Sequence, residues 1–351
     1  MISFLRLPIT IAVFLLLPGF VVASELQHAG PCKESRPLLP VPDTVSAEAQ
    51  AFLSRPVDLS VHCLPLPESD DQWRAHIANG NKRFDVMLAA VLAIDNIEVT
   101  ESQLAGVAVR TITPKQLSKE RASKALINLH GGGYAMFGGK YSAIEGVNIA
   151  AAGGFRVIAV DYRMPPDDPF PAAVDDGVAV YQALLEDYAP EDIAIFGTSA
   201  GGGLTAAVAI AARDKGLPLP AAVVLNTPWS DLSKTGDSYY ANEGIDPMLT
   251  SYDGSLAAMA RIYAGEQDLK HPLISPVYAD FEPGFPPALL ISGTRDLLLS
   301  PTVRLHRALR AANIEAELHV FEAMWHGFGN TPEGREATRE SILFLEEKLG
   351  L

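Results

Sequence analysis

A serine lies within a run of small residues in the second half of this chain, in the segment GTSAGGG, where it is Ser199. An apolar run at residues 193–196 comes before it, and an alanine-rich stretch at residues 204–215 follows. This order predicts a short buried strand, a tight turn and a helix. Gly197 and Gly201 would let the backbone turn sharply and let the helix pack close to the strand. The turn would hold the serine hydroxyl out at the edge of a sheet, where a nucleophile is needed.

A serine nucleophile needs a general base, and a histidine near the end of the chain is the candidate. Of the eight histidines, only His326 lies after the last predicted strand, at residues 317–321. In the chain order serine, acid, histidine, the base is expected there. His319 would point from within that strand, and His306 falls on a predicted helix. The sequence therefore favours His326.

An orienting acid is expected between the serine and the histidine. Asp296 lies in GTRDL, directly after the predicted strand at residues 288–292. A carboxylate in that loop could accept the imidazole N–H, fix its tautomer and stabilise the imidazolium. Glu322 also follows a strand and is the second candidate, although it is close to His326 along the chain.

A glycine-rich loop earlier in the chain could bind an oxygen that gains negative charge. His130 and Gly131 begin the segment HGGG, which directly follows the predicted strand at residues 125–129. Successive glycines let backbone N–H groups point at a ligand oxygen, as in an oxyanion loop. The N–H of Ala200, the residue after the nucleophile, is the expected second donor. A phosphate-binding loop is disfavoured, because neither GK[ST] nor the spacing GxGxxG is present.

The elements that must position these residues alternate between strands and helices. Apolar runs predict strands at residues 125–129, 156–160, 193–196, 221–225, 288–292 and 317–321. Helices are predicted at residues 142–152, 171–186, 204–215, 303–312 and 336–348. This alternation predicts an α/β fold with a mostly parallel central sheet and helices on both faces. Active sites of such sheets lie at the carboxyl ends of the strands.

Two stretches of the chain depart from this alternation. Residues 232–286 are predicted to be an insertion that contributes to a lid over the site. Near the N-terminus, helical spacing predicts helices at residues 46–53 and 70–92, followed by strands at residues 94–99 and 107–113.

Composition excludes several functions. The chain has 351 residues, 48% of them apolar, and a formal net charge of −15, which suits a globular protein. There is no Lys/Arg cluster of the kind that binds nucleic acid. The sequence contains no HExxH, no CxxC and no dinucleotide-binding fingerprint. We therefore expect neither a metal nor a cofactor.

The first residues have the pattern of a secretory signal peptide. A single basic residue, a short apolar run and small residues before Ser24 predict cleavage after residue 23. The alternative is an uncleaved membrane anchor at the N-terminus. In an exported protein, Cys32 and Cys63 are a candidate disulfide, and two unpaired thiols are the alternative. The chain is thus predicted to be periplasmic or secreted, without stable insertion in a membrane after processing.

With these residues in place, residues 90–350 resemble the hormone-sensitive-lipase-like esterases, bacterial family IV, of the α/β-hydrolase fold. The resemblance rests on HGGG at 130–133, DYR at 161–163, FPAA at 170–173, GTSAGG at 197–202, PLISP at 272–276, GTRD at 293–296 and HGF at 326–328. Many relatives have Asp or Glu before the serine, whereas Thr198 places this chain with the GTSAG branch. The family's LAPEH after DYR is here MPPDD, at residues 164–168.

The resemblance implies a domain plan and a set of site residues. It implies an N-terminal extension and helical cap at residues 24–92 and an α/β-hydrolase domain at residues 93–351. The triad maps onto Ser199, Asp296 and His326. The oxyanion hole maps onto the N–H groups of Gly132, Gly133 and Ala200.

The implied reaction is hydrolysis of small carboxylic esters with short to medium acyl chains through an acyl-enzyme. The same triad would serve an amidase, a carbamate hydrolase or a deacetylase. A silent binding protein, as in the plant gibberellin receptors that resemble this family, is disfavoured, because such proteins usually lose a triad member. Whether the protein is a homodimer stays open.

Overall fold

The computed structural model describes residues 39–59 and 65–351. The predicted signal peptide, Cys32 and Cys63 lie outside these residues, so the export signal and the disulfide stay predictions. Among the described residues, no helix is both long enough and apolar enough to span a bilayer.

An eight-stranded sheet in the order β1-β2-β4-β3-β5-β6-β7-β8 forms the centre of the molecule. The strands are β1 Ile97–Leu104, β2 Val107–Pro114, β3 Ala125–Leu129, β4 Val157–Val160, β5 Ile193–Thr198, β6 Ala222–Asn226, β7 Ala288–Gly293 and β8 Ala316–Phe321. Strand β2 runs antiparallel to both of its neighbours, and the pairs from β4 to β8 are parallel. The predicted mostly parallel sheet is therefore confirmed.

Helices cover both faces of this sheet. In the described part of the chain they are α1 Ala47–Leu53, α2 Asp70–Lys82, α3 Asp85–Leu92, α4 Lys119–Ala122, α5 Ala143–Gly153, α6 Ala172–Leu184, α7 Ala200–Asp214, α8 Ser238–Ala241, α9 Ser255–Ala264, α10 Leu299–Ala311 and α11 Pro332–Lys348. Residues from α6, α7, α9 and α10 belong to one buried cluster, and residues from α1, α3, α5 and α11 belong to the other.

The alternation of side chains along the strands divides the core between the two faces. In β5, Ile193 and Ile195 face the first cluster, whereas Ala194 and Phe196 face the second. Both faces are apolar because helices cover both, as a parallel sheet requires. The central strands therefore read as continuous apolar runs, which is why the sequence located them closely.

The predicted edge strand is displaced. Strand β1 spans Ile97–Leu104, whereas residues 94–99 were expected. This strand lies at the edge of the sheet and most of its residues are exposed, so polar residues such as Glu101 and Gln103 belong to it. Apolar periodicity gives no signal for a strand in that position.

The helical stretch expected at residues 70–92 is two helices rather than one. Helix α2 ends at Lys82 and α3 begins at Asp85. The break lies against the loop that follows β3. Asn81 Oδ1 accepts a hydrogen bond of 3.0 Å from the N–H of Phe137, whose ring meets the Phe84 ring edge-on at 4.6 Å. Helical periodicity continues across so short a break, so the sequence pattern does not show it.

Helix α7 begins at Ala200, directly after the serine, and not at residue 204 as expected. Glycine is a poor helix former, so the run of glycines indicates a longer turn than the structure has. The glycines are instead inside the first turn of the helix, where close packing against other backbone requires them. Helix α10 also begins earlier than expected, at Leu299, with Pro301 in its first turn.

The packing of α6 on α7 gives a stability prediction. A Cβ added at Gly177 would lie 2.4 Å from Cγ2 of Val208, so there is no room for a methyl group. Helix propensity alone predicts that Gly177→Ala would stabilise by about 1 kcal/mol. We expect the reverse, a loss of about 1–3 kcal/mol in the free energy of unfolding, measured by urea denaturation.

The double variant identifies the cause. Val208→Ala removes the obstructing methyl groups and should itself destabilise through a cavity. Gly177→Ala with Val208→Ala should lose about 1 kcal/mol less than the sum of the single variants. Strict additivity would show that this contact does not limit the packing of the two helices.

Candidate active site

Ser199 lies on the sharp turn between β5, which ends at Thr198, and α7. Its backbone has φ 60° and ψ −123°, a conformation that L-residues rarely adopt. Hydrogen bonds to the next strand and its loop hold it there. The Ser199 N–H donates to the carbonyl of Asn226 at 2.9 Å, and its carbonyl accepts from the N–H of Trp229 at 2.8 Å. The predicted strand–turn–helix is thus present, with the serine at its apex.

Two glycines are required for this turn because backbone lies directly against them. A Cβ at Gly201 would lie 1.9 Å from the carbonyl oxygen of Leu129, the last residue of β3. A Cβ at Gly197 would lie 2.3 Å from the same oxygen. No side chain fits at either distance, so the small residues let α7 start directly beneath the loop that follows β3.

Asp296 and His326 lie together behind this end of the sheet. His326 Nδ1 lies 3.1 Å from Asp296 Oδ1, and both side chains are almost fully buried. Two further donors fix the carboxylate: the Ser292 hydroxyl donates to Oδ2 at 2.8 Å and the Leu298 N–H donates to Oδ1 at 2.8 Å. The two residues that the sequence selected as acid and base are therefore in contact. With Nδ1 donating to the carboxylate, Nε2 is left as the basic nitrogen.

The charges around His326 favour its protonated form. Burial lowers the pKa of this imidazole, but the negative charges of Asp296, Asp246 and Glu145 together raise it by more. The pKa therefore lies above the ordinary value of 6.5. A base of raised pKa accepts a proton more readily, provided that the solution is alkaline enough to leave it neutral.

Glu322, the second candidate acid, does not contact His326. Its side chain is exposed, and its carboxylate accepts a hydrogen bond of 2.8 Å from the hydroxyl of Thr44. The structure thus places Asp296, and not Glu322, against the imidazole.

The HGGG loop lies over the start of α7. Gly132 and Gly133 have φ of 108° and 63°. With these positive φ values, their N–H groups do not point where they would in a strand or a helix. Among the described residues, none accepts a hydrogen bond from the N–H of Gly132, Gly133 or Ala200. A Cβ on Gly131 would lie 3.5 Å from Cβ of Ser199, so this loop and the serine turn are adjacent. Three N–H groups are therefore available beside the serine.

His130 is a structural part of this loop. Its ring stacks on Tyr162 at 4.2 Å, and its Nδ1 donates to the carbonyl of Gly131 at 2.8 Å. The Tyr162 hydroxyl donates to the His130 carbonyl at 2.7 Å. Burial lowers the pKa of the His130 imidazole to about 4, so the ring is neutral at physiological pH. These contacts fix the backbone of His130, which lies directly before the three glycines of the loop.

Glu145 on α5 was missed by sequence reasoning. Its Oε1 accepts from the N–H of Gly131 at 2.8 Å, and its carboxyl group also hydrogen-bonds to Thr198, the residue before the serine. It thereby joins the oxyanion loop to the serine turn. Burial raises the pKa of Glu145 to about 7 in spite of these hydrogen bonds. The available signal was a lone acid in the apolar helix AIEGVNIA.

Asp246 was also missed. It belongs to the predicted insertion, is fully buried, and accepts a hydrogen bond from the main-chain N–H of His326 at 3.2 Å. It lies in an irregular loop with no apolar periodicity around it, so no local pattern marks it.

Two methionine side chains lie beside the HGGG loop, Met259 from α9 and Met136 from the continuation of the loop itself. The sulfur of Met259, on α9, lies 2.6 Å from where a Cβ on Gly133 would be. Met136 lies between the loop and the N-terminal helices, its terminal methyl 2.7 Å from a Cβ position on Gly80 of α2. The HGGG loop and its continuation are therefore packed against α9 through Met259 and against α2 through Met136. The described residues contain no cluster of three or more His, Cys, Asp or Glu that could hold a metal ion.

Known proteins with this arrangement are numerous. A family model for the alpha/beta hydrolase fold matches residues 126–330. An acetyl-hydrolase of Streptomyces hygroscopicus is 37% identical over 232 residues, which are 65% of this chain and 77% of that protein. The crystal structure of an esterase, E25, superposes with a TM-score of 0.83 at 38% identity, covering 90% of this chain and 98% of the other.

A second solved structure, an esterase from the bacterial hormone-sensitive lipase family, has a TM-score of 0.72 at 33% identity. It covers 82% of this chain and 95% of its own. The matched region contains the serine turn, the glycine loop and the Asp296–His326 pair. This chain therefore belongs to the α/β-hydrolase family, with the bacterial relatives of hormone-sensitive lipase.

Proposed function

We propose that this protein is a carboxylesterase that uses Ser199 as nucleophile, His326 as base and Asp296 as the orienting acid. The observation that carries the proposal is the buried hydrogen bond between Asp296 and His326, at the same end of the sheet as the serine turn. The esterases among the relatives support the reaction class.

In the first step, the Ser199 hydroxyl attacks the ester carbonyl carbon while Nε2 of His326 removes its proton. The carbonyl oxygen gains negative charge and accepts hydrogen bonds from the N–H groups of Gly132, Gly133 and Ala200. The imidazolium, stabilised by Asp296, then gives the proton to the leaving alkoxide. The alcohol departs and the acyl group stays on the serine oxygen.

In the second step, water is the attacking group and the serine oxygen is the leaving group. Nε2 of His326 takes a proton from water, the hydroxide attacks the acyl carbon, and the serine oxygen leaves with the proton from the imidazolium. The carboxylic acid is released and the free enzyme is restored. No metal or cofactor is needed for this proton balance.

We propose short to medium acyl chains because of the walls around the glycine loop. Met259 lies directly on Gly133, and Met136 fills the space toward α2. We further propose that residues 24–92 are an N-terminal extension and cap and that residues 232–286 contribute to a lid, since Gly80 of α2 lies against Met136 and α9 carries Met259. Export after cleavage at residue 23, and a disulfide between Cys32 and Cys63, are proposed from the sequence alone.

Removing the nucleophile tests the mechanism. Ser199→Ala should lower kcat for p-nitrophenyl acetate by about 10⁴-fold or more, because no other group supplies the attacking oxygen. The matched control is Ser123→Ala, an exposed serine after α4, which should retain wild-type rates. A fluorophosphonate should label the wild type at one site per chain, at Ser199, and leave Ser199→Ala unlabelled. Equal activity of wild type and Ser199→Ala would exclude the mechanism.

A substrate series tests the acyl pocket and the bond cleaved. We expect kcat/KM for p-nitrophenyl esters to be highest among acyl chains of about two to eight carbons and to fall at least tenfold for the palmitoyl ester. The matched p-nitroanilides should react more slowly. Faster cleavage of the anilide would instead indicate an amidase, and a flat dependence on chain length would contradict the proposed walls.

The pH profile tests the role of His326. Because the base must be neutral and its pKa is raised above 6.5, kcat/KM should fall on the acid side with a midpoint above pH 6.5. Glu145→Gln removes one of the charges that raise this pKa, so its midpoint should be lower. Glu340→Gln removes a carboxylate bonded to another histidine, His319, and is the matched control that should leave the midpoint unchanged. A wild-type midpoint below 6.5 would contradict the assignment.

A further inference from the structure

Asp246 is a fully buried carboxylate behind Asp296 and His326 that the mechanism above does not use. We propose that Asp246 is a positioning residue for the hydrolytic reaction, which binds the backbone of the acid loop and the base loop through one oxygen and adds a second negative charge behind the imidazole. This inference rests on the proposed function, since it concerns how that triad is held and charged.

The two oxygens of Asp246 have separate roles. Oδ1 accepts from the N–H groups of Met248 and Leu249 at 2.8 and 3.0 Å, which closes a tight turn within its own loop. Oδ2 accepts from the N–H of Leu297 at 2.9 Å and from the N–H of His326 at 3.2 Å. One oxygen therefore holds the backbone of the residue after the acid and the backbone of the base itself.

Neighbouring residues of the same insertion hold the acid loop at other points. Asn242 Nδ2 donates to the carbonyl of Asp296 at 2.8 Å, and the Ser238 hydroxyl donates to the carbonyl of Leu297 at 2.7 Å. The loop that carries Asp296 is thus bonded to the insertion on both sides of the carboxylate. Asp246 extends this bonding to the loop of His326.

The ionised form of Asp246 is energetically unfavourable in its buried position. This argues against a role limited to closing the turn in its own loop. Burial and the charge of Asp296 raise the pKa of Asp246 to about 6, while His326 and the N–H groups of Leu297 and Leu249 oppose the rise. A tight turn alone could be closed by a neutral Asn or Ser side chain. A buried carboxylate next to another carboxylate is explained if its charge acts on the imidazolium that forms at His326.

The charged groups that act on His326 are Asp296, Asp246 and Glu145, and those that act on Asp246 are Asp296 and His326. A negative charge beside an imidazole raises its pKa, because it stabilises the protonated form. Removing the charge of Asp246 must therefore lower the pKa of His326. The acid side of the pH profile then moves to lower pH, a change that a merely structural role does not produce.

The test is Asp246→Asn, which keeps the size of the side chain and removes its charge. We expect kcat for p-nitrophenyl acetate, per active site titrated with a fluorophosphonate, to fall about 10–100-fold with KM changed less than threefold. The acid midpoint of kcat/KM should fall by about half a pH unit or more. The matched control is Asp280→Asn, an exposed aspartate of the same insertion that caps a local turn by accepting from the N–H of Glu282 at 2.9 Å. It should change neither quantity.

The outcomes separate the two proposals. If the wild type is neither labelled nor active, the proposed function fails. If the wild type is labelled and active while Asp246→Asn keeps the wild-type kcat per site or the wild-type midpoint, only the role of Asp246 fails. Asp246→Glu keeps the charge with one more methylene, so its midpoint should stay near that of the wild type even where kcat falls.

If neither variant folds, the wild type itself can decide. The main-chain N–H of His326 donates to Asp246, so its proton chemical shift reports the ionisation of that carboxylate. In protein labelled with 15N-histidine, and with this resonance assigned by its loss in His326→Gln, the shift should show two inflections with pH, one at the midpoint of the imidazole and one from the carboxylate of Asp246. A single inflection, at the midpoint of the imidazole, would overturn the proposal.

Discussion

The close approach of α7 to the end of β3 is the constraint on which the site depends. Leu129 ends β3 with a carbonyl oxygen that lies within 1.9 Å of a Cβ position on Gly201 and 2.3 Å of one on Gly197. Because backbone meets backbone there, the helix can start directly after Ser199 and the loop after β3 can lie over its first turn. The N–H groups of that loop and of Ala200 then converge beside the serine. A side chain at either glycine would move Ser199 away from these N–H groups.

The second constraint is electrostatic. Three carboxylates, those of Asp296, Asp246 and Glu145, act on one buried imidazole, and each comes from a different segment of the chain. Each is stabilised by N–H or O–H donors, so none depends on His326 alone for its charge. The arrangement stabilises the imidazolium that forms in the proposed hydrolysis. As a consequence, the base of the free enzyme stays protonated up to a higher pH than an ordinary histidine. The carboxylates of Glu145 and Asp246 have pKa values of about 7 and 6, so the charge that they place near the base itself changes with pH close to neutrality.

Most of the residues that sequence could identify come just after a buried apolar strand, whereas His326 was found from the chain order serine, acid, histidine. Ser199, Asp296 and the glycine loop lie at the carboxyl ends of β5, β7 and β3, and buried parallel strands are strong signals. Glu145 faces the site from a helix, where an acid among apolar residues has no defined partner until the fold is known. Asp246 lies in a stretch without periodicity, and its partners are 51 and 80 residues away along the chain. Long-range hydrogen bonds to main-chain N–H groups leave no pattern in a sequence, because every residue except proline offers the same donor.

Part of the insertion contacts the loops of Asp296 and His326, which its sequence does not predict. Its irregular composition predicts a lid, and α9 does bring Met259 onto the glycine loop. The loop from Ser238 to Leu249, however, is bonded behind Asp296 and His326, on the buried side of the site. One insertion therefore contacts the glycine loop through Met259 and the backbone of the acid and base loops through Asn242 and Asp246. A change in its backbone would affect both contacts.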